Sequence, residues 1–164
     1  LGCIDILINN AAIYETVDFD DLTADRWDSM FATNTRGPFL IAKHAASELR
    51  RRQGRIINIG SLGGLRPWET HAHYCASKAA LHSLTQAMAK AYAPEIVVNC
   101  IAPGMIEAKE DKGTAHARRF AAKTPMGRNG SAHDVAEMVR LLCLAPRFVT
   151  GQIIAVDGGL SLAT

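Results

Sequence analysis

Four short runs of apolar residues divide the chain, and each run is nearly continuous in apolarity rather than alternating with polar residues. They cover residues 4–8, 55–59, 96–101 and 152–156, and they are rich in isoleucine and valine. Strands of this kind are covered on both faces, as in a parallel sheet. Longer segments with helical periodicity lie between them. This alternation predicts an α/β architecture with right-handed crossovers.

Three of the intervening segments have the residue spacing of helices. They cover residues 24–52, 74–93 and 132–144. Thr23 and Ser131 stand where the first and third helices begin, and both residue types are good N-caps. The pair Gly37-Pro38 is expected to kink or divide the first helix, because proline disturbs a helix interior. The polar stretch 107–119 is expected to form a mobile loop or a short lid helix.

The composition is that of one soluble globular domain covering residues 1–164. Hydrophobic residues make up 48% of the chain and charged residues 21%, which is ordinary for such a domain. A formal net charge of +2 is too small to indicate a nucleic-acid partner. The four cysteines are widely spaced, which favours a reduced, cytoplasmic setting. No run of apolar residues approaches the ~18 that a membrane span needs, so no membrane partner is expected.

The motif that carries chemistry is a tyrosine followed four residues later by a lysine, Tyr74 and Lys78. In a helix these two positions lie on one face, so the phenol and the ammonium can approach one point. We expect the lysine charge to lower the pKa of the phenol, which is near ~10 when unperturbed. Such a pair can exchange a proton with a substrate oxygen while hydride moves at the attached carbon. Alone the spacing is a weak signal, because a packed tyrosine and a solvated lysine share it in many helices.

Small and polar residues follow three of the predicted strands. Residues 9–12 follow the first strand, Ser61 follows the second, and Pro103-Gly104 follows the third. In open α/β sheets, ligands bind beyond the carboxyl ends of the strands. Each group on its own could be a simple turn. Their shared edge, with the helix of Tyr74 beginning close by, predicts a ligand site.

Six motifs, taken in order and spacing, resemble the short-chain dehydrogenase/reductase family over essentially the whole chain. They are N-N-A-A at 9–12, N-T-R-G at 34–37, S-x-G-G at 61–64, Y-x-x-x-K at 74–78, N-C-I-A-P-G at 99–104 and V-D-G-G at 156–159. Within the family, the sequence looks closest to the 3-oxoacyl-(acyl carrier protein) reductases. The resemblance implies a doubly wound, Rossmann-like parallel sheet and NAD(P)-dependent interconversion of a ketone and a secondary alcohol. A pteridine- or enoyl-type reductase, or a sugar or steroid alcohol dehydrogenase, is an alternative on the same scaffold.

By this resemblance, the catalytic residues are Asn34, Ser61, Tyr74 and Lys78. Tyr74 is then the general acid/base, and Ser61 hydrogen-bonds the substrate oxygen. Lys78 lowers the pKa of the tyrosine and binds the nicotinamide ribose. Asn34 holds a water in a proton relay through Lys78. Without the resemblance, the favoured interpretation of Asn34 is a side chain that bonds locally to helix backbone.

The same resemblance assigns contacts with NAD or NADP to Tyr74, Lys78 and the ends of two strands. The strand-end residues are Asn10, Ala11, Ala12, Pro103, Gly104 and the backbone of Ile106. The sequence departs from the family pattern at two positions, with Ala12 in place of a glycine and Ala108 where many relatives have a threonine. Alanine at position 12 carries a cost if that position needs a positive φ or a very close approach. We expect a single methyl group to fit, so Ala12 is interpreted as a variant rather than a loss.

The expected partners are a small carbonyl or alcohol substrate and further copies of the chain, as a homotetramer or homodimer. Trp68, His71 and His73 lie between Ser61 and Tyr74. They either border the substrate pocket, or they belong to a surface loop with Trp68 packed beneath the histidines. No metal site is expected among them, because no third ligand is evident.

A Gly-rich, phosphate-binding turn ahead of a first helix is missing from the sequence, so the expected fold is the C-terminal part of the family's domain. We expect roughly 80 further residues upstream, a length compatible with a complete domain. The residue that separates NAD from NADP would lie there, so the sequence predicts either cofactor. The opposing hypothesis is a non-catalytic, truncated or pseudoenzyme subunit. The presence of all four site residues argues against it.

Overall fold

The computed structural model describes residues 2–163, and its centre is a parallel sheet of four strands. The strands are β1 (Ile6–Asn9), β2 (Arg55–Ile59), β3 (Val97–Pro103) and β4 (Ile153–Val156). They lie side by side in chain order, and every neighbouring pair is parallel. The four apolar runs therefore form the four strands, as predicted.

Five α-helices occur in the described residues. They are α1 (Ala24–Phe31), α2 (Gly37–Arg51), α3 (Ala72–Tyr92), α4 (Ala115–Lys123) and α5 (Ala132–Leu144). The predicted caps of α1 and α5 are confirmed, because Thr23 accepts the backbone N–H of Arg26 and Ser131 accepts that of Asp134. Asp134 in turn accepts the N–H of Ser131, which completes a capping box. The polar stretch 107–119 contains the start of α4.

Helices cover both faces of the sheet, which confirms the doubly wound architecture. On one face, α2 and α3 bury a cluster that includes Leu49, Ile56 and Val98. On the other face, α5 covers Ile57 and Ile101 with Leu142 and partly buried neighbours. Ile56 and Ile57 serve opposite clusters because successive side chains of a strand point to opposite faces. This explains why the strands are continuously apolar.

The first predicted helix is divided, and a single turn of π-helix separates its halves. The π turn covers Ala32–Arg36 between α1 and α2. Gly37 and Pro38 then begin α2, which places the predicted division at the expected residues. A π turn adds one residue to a helical turn and is frequent at functional sites. This turn carries Asn34, which is buried.

The Leu49→Ala variant should lose about 2–5 kcal/mol in free energy of unfolding, because a fully buried leucine leaves a cavity when it is truncated. A matched control is Leu144→Ala at the end of α5, where the leucine is 72% exposed. The control should change the free energy by less than about 0.5 kcal/mol. Urea unfolding followed by circular dichroism measures both variants. Equal, small losses would show that Leu49 is not part of the core.

Candidate active site

Ser61, Tyr74 and Lys78 come together at the carboxyl end of β2. Ser61 lies just beyond that strand, and its hydroxyl approaches the Tyr74 phenol closely enough to stabilise the ionised phenol. The Lys78 ammonium donates a hydrogen bond of 2.8 Å to the carbonyl of Ile59, the last residue of β2. The same nitrogen lies 5.9 Å from the centroid of the Tyr74 ring. The three side chains therefore share one site, as the motif spacing predicts.

The loop that carries Ser61 is held tightly against α3. The Ser61 hydroxyl oxygen accepts the backbone N–H of Gly63 at 3.0 Å and caps a short 3₁₀ turn. At Gly64, an added Cβ would come within 2.8 Å of the Lys78 carbonyl carbon and 2.9 Å of the Ala79 nitrogen. Real side chains do not tolerate such distances to backbone, so glycine lets the loop approach the helix. The close approach fixes Ser61 relative to Tyr74 and Lys78.

Lys78 is a buried cation. Its side chain is only 3% exposed, and burial lowers its pKa from 10.5 to about 8. The ammonium has three N–H donors, and one of them is used by the Ile59 carbonyl. The remaining donors can serve hydroxyl groups of a bound molecule.

The pKa of Tyr74 differs from the expectation. Burial is the largest effect and raises the pKa, while the Ser61 hydroxyl acts in the opposite direction and lowers it. The nearby Tyr14 adds to the increase. The expected lowering by Lys78 is not found in this structure, because the ammonium is directed to the Ile59 carbonyl. Tyr74 is therefore a protonated phenol at neutral pH.

Asn34 bonds across the fold rather than to the backbone of its own helix, where it contacts the Met30 sulfur. Its amide nitrogen donates to the Ile13 carbonyl at 3.0 Å, and its amide oxygen accepts the Ile13 N–H at 2.9 Å. The same nitrogen lies 3.1 Å from the Ser77 hydroxyl oxygen, next to Lys78. The interpretation of Asn34 as a local helix-bonding side chain is therefore wrong. Asn34 instead joins the π turn to the loop after β1 and to α3.

Trp68, His71 and His73 were expected either to border the substrate pocket or to form a surface loop, and the structure shows features of both. His73 is completely buried, and its Nε2 lies 3.3 Å from a carboxylate oxygen of Glu15, so it is not a surface histidine. His71 lies at the start of α3, where its ring stacks on Tyr14 at a centroid distance of 4.9 Å. Trp68 contacts His71 edge to face at 5.5 Å. The Tyr14 ring also meets the Tyr74 ring edge to face, at 5.0 Å. Sequence reasoning missed Tyr14, which belongs to no motif.

His82 is a second buried histidine, one turn beyond Lys78 on the same face of α3. Burial, and then the charge of Lys78, lower its pKa to about 4, so its ring is neutral. Within residues 2–163, neither of its ring nitrogens has a hydrogen-bond partner. The ring packs beside Gly60 and Gly64, and so it supports the loop of Ser61 from behind.

The strand-end residues assigned to the cofactor lie at the same edge of the sheet. Asn10, Ala11 and Ala12 follow β1 directly, and all three are exposed. Among residues 2–163, Gln53 is the one non-glycine residue with a positive φ, so alanine at position 12 causes no backbone strain. The condition under which alanine would carry a cost is therefore not met at this position.

The third strand delivers Pro103 and Gly104 to this edge. Pro103 ends β3, and the Gly104 N–H donates to the Val156 carbonyl at 3.0 Å. Beyond them, Ile106 forms an isolated parallel bridge with Gly130. The two hydrogen bonds of this bridge are made by the residues on either side of Ile106. The Gly130 N–H donates to the Met105 carbonyl, and the Gly130 carbonyl accepts the Glu107 N–H. The amide of Ile106 therefore faces away from Gly130 and is free for a ligand.

These residues fit a nicotinamide nucleoside. The exposed backbone at 10–12, the free donors of Lys78 and the free amide of Ile106 lie around the ends of β1, β2 and β3. Ribose hydroxyls and a carboxamide need hydrogen-bonding groups of these types.

None of the helices in residues 2–163 is both long and apolar enough to cross a membrane.

The chain is similar to known proteins over almost its whole length. A family profile described as enoyl-(acyl carrier protein) reductase matches residues 1–161. The chain is 39% identical to 2-(S)-hydroxypropyl-CoM dehydrogenase 3 of Xanthobacter autotrophicus, over 98% of this chain and 68% of that protein. It is 33% identical to a 3-oxoacyl-(acyl-carrier-protein) reductase of Aquifex aeolicus, over 96% of this chain and 65% of that protein.

Solved structures give the same result at the level of the fold. The crystal structure of a gluconate 5-dehydrogenase from Burkholderia cenocepacia, in complex with NADP and tartrate, matches with a TM-score of 0.93 and 34% identity. The match covers 100% of this chain and 67% of the solved chain. The present chain thus spans about two thirds of the length of the proteins that it matches.

The Lys78→Met variant should be more stable than the wild type at pH 7, and its advantage should shrink at higher pH. At pH 7 the lysine is charged in both the folded and the unfolded chain. Burial of that charge destabilises the folded state. At about 1.4 kcal/mol per pKa unit, removing the charge gains up to about 3 kcal/mol. Between pH 8 and 10.5 the unfolded chain binds more protons than the folded chain, so wild-type stability rises there.

Urea unfolding at a series of pH values between these limits measures the difference. The control is Lys90→Met, which removes an exposed lysine from the same helix. Its difference from the wild type should stay small and flat over the series. A flat difference for Lys78→Met as well would contradict the buried position of the ammonium.

Proposed function

Because this chain belongs to the short-chain dehydrogenase/reductase family, we propose that it interconverts a ketone and a secondary alcohol by hydride transfer, with NAD or NADP as cofactor. The observation that carries the proposal is the meeting of Ser61, Tyr74 and Lys78 at one edge of the sheet. Reduction of a carbonyl needs a proton donor and a group that holds the oxygen as it gains charge. Tyr74 and Ser61 supply these two roles.

Tyr74 acts on the substrate oxygen as the general acid. Its raised pKa keeps the phenol protonated at neutral pH, so it has a proton to give when the carbonyl oxygen becomes an alkoxide. Ser61 holds the same oxygen through its hydroxyl hydrogen, while its oxygen accepts the Gly63 N–H. In the oxidative direction, Tyr74 must first give up its own proton, and the resulting phenolate oxygen then receives the proton of the alcohol.

Lys78 holds the cofactor. The bound nicotinamide supplies or accepts the hydride. The free ammonium donors of Lys78 bind ribose hydroxyls, with the backbone at Asn10, Ala11 and Ala12 beside them. Pro103, Gly104 and the Ile106 amide hold the nicotinamide end. NADP in the related gluconate 5-dehydrogenase supports a nicotinamide nucleotide at this site.

Asn34 completes the proposed proton path. Its side chain joins the Ile13 backbone to the Ser77 hydroxyl, one residue before Lys78. A water held by the Ile13 loop would connect the lysine with solvent, which would allow Tyr74 to be reprotonated after each turnover. A non-catalytic subunit is disfavoured, because a buried lysine destabilises a fold that makes no use of its charge.

The proposed assembly is a homotetramer or homodimer built through α2 and α3. On α2, Phe39, Leu40 and Ile41 are exposed although they are large and apolar. A groove of about 760 Å³ lies beside them and is lined by Phe39 of α2 and Leu84 of α3, among others. Large apolar side chains exposed beside a groove are typical of an interaction site.

A charge placed in this groove should separate the subunits. Phe39→Glu introduces a carboxylate where a second copy would have to desolvate it. Sedimentation velocity should then show a smaller species than the wild type. The control is Phe19→Glu, at an exposed phenylalanine outside the groove. An unchanged sedimentation coefficient for Phe39→Glu would exclude this face as the subunit contact.

The Tyr74→Phe variant should reduce ketones at least about 10²-fold more slowly than the wild type, because it lacks the proton donor. Ser61→Ala should lose about 10²–10³-fold in kcat, because the oxyanion loses a hydrogen bond. Oxidation of NADPH or NADH by a panel of ketones, followed by absorbance in the full-length protein, gives the rates. The control is Tyr92→Phe, at the far end of α3. A Tyr74→Phe variant as active as the wild type would refute the catalytic assignment.

A further inference from the structure

The Tyr14 side chain lies directly beside the proposed catalytic tyrosine, Tyr74. It belongs to the loop after β1, and its side chain is 60% exposed. Its ring meets the ring of Tyr74 edge to face at a centroid distance of 5.0 Å, and its presence contributes to the raised pKa of Tyr74. An exposed aromatic side chain at this position borders the space in which a substrate of Tyr74 must lie.

His71 holds the Tyr14 hydroxyl in place. The Tyr14 oxygen lies 2.5 Å from the Nε2 atom of His71, and the two rings are stacked. Two further hydroxyls fix the imidazole, since Thr16 lies 2.9 Å from Nε2 and Thr70 lies 2.9 Å from Nδ1. A backbone bond of 3.0 Å from Val17 to the Thr70 carbonyl ties the two loops together. Tyr14 is thus preorganised rather than free to rotate.

His71 is a neutral partner. Burial, followed by the charges of His73 and His116, lowers its pKa below the usual value of 6.5. A neutral imidazole has one donor nitrogen and one acceptor nitrogen. With the proton on Nδ1, the ring donates to Thr70 and accepts the Tyr14 hydroxyl, whose oxygen keeps its lone pairs. With the proton on Nε2, the Tyr14 oxygen accepts, and its own hydrogen remains free. In either tautomer the Tyr14 hydroxyl can make one more hydrogen bond.

We propose that Tyr14, positioned by His71, binds a second oxygen of the substrate, and that the preferred substrates are therefore small ketones with a hydroxyl or carbonyl group next to the reacting carbonyl. This inference rests on the proposed function, because Tyr74 and Ser61 must hold the first oxygen. The rings of Tyr14 and Tyr74 are in contact, so the proposal brings the hydroxyl groups of both residues to one small molecule. A plain ketone has no second oxygen, so it lacks the hydrogen bond to Tyr14 and binds less tightly.

The test compares acetoin with butanone, which differ by a single hydroxyl group next to the carbonyl. The ratio of their kcat/KM values is measured in the full-length wild type and in Tyr14→Phe, which keeps the ring and removes the hydroxyl. We expect the ratio to favour acetoin in the wild type and to fall about tenfold in Tyr14→Phe, which corresponds to about 1.4 kcal/mol. The kcat/KM for acetoin should fall, whereas that for butanone should change less than about twofold. A tenfold decrease for acetoin lies within the energy of one lost hydrogen bond.

Two further variants separate the possible outcomes. His71→Phe keeps a flat ring beneath Tyr14 but removes both nitrogens, and it should lower the ratio by a smaller factor than Tyr14→Phe. Tyr92→Phe is the matched control and should leave the ratio unchanged. If Tyr14→Phe slows both ketones equally, or neither, the inference fails while the proposed function stands. If the wild type reduces no ketone at all, the proposed function fails and the inference fails with it.

Discussion

The hydrogen bond between the Lys78 ammonium and the Ile59 carbonyl is the interaction on which the site depends. It joins the second turn of α3 to the last residue of β2, and so it sets the distance between the helix that carries Tyr74 and the loop that carries Ser61. The bond is made by a cation that is almost fully buried, so the fold bears a desolvation cost to keep it there. An apolar residue of similar volume at position 78 would give the fold a higher free energy of unfolding. A functional site that uses the ammonium charge would explain why a lysine is buried at this position.

Much of this arrangement follows from the sequence because parallel strands impose a simple rule. Their carboxyl ends meet at one edge, so polar residues that follow β1, β2 and β3 must gather there. The residues of α3 that share a face are fixed by helical periodicity, which joins Tyr74 to Lys78. Caps are equally local, and Ser131 with Asp134 begins α5 at the predicted residue. Strand ends and helical periodicity therefore predicted that Ser61, Tyr74 and Lys78 lie near one edge, while the family resemblance supplied their expected roles.

What the sequence did not reveal depends on tertiary contacts. The burial of Tyr74 raises its pKa, whereas its spacing from Lys78 predicted a decrease, because the direction of a lysine side chain is set by the acceptor that it finds. Asn34 bonds to Ile13, a residue 21 positions earlier, which helix propensity cannot indicate. Tyr14 contacts Tyr74 although it belongs to no motif. These are contacts between segments distant in the chain, and no local pattern encodes them.

The π turn at Ala32–Arg36 has a consequence for the phase of the helices on either side. Each residue rotates a helix by about 100°, so one additional residue offsets the buried stripe of α1 from that of α2. Met30 before the turn can then contact Asn34 while Leu49 after it packs on the sheet. Deletion of a single residue between these two positions would restore one uninterrupted helix. It would bring the two stripes into the same phase, so that α1 and α2 could no longer both keep their present neighbours.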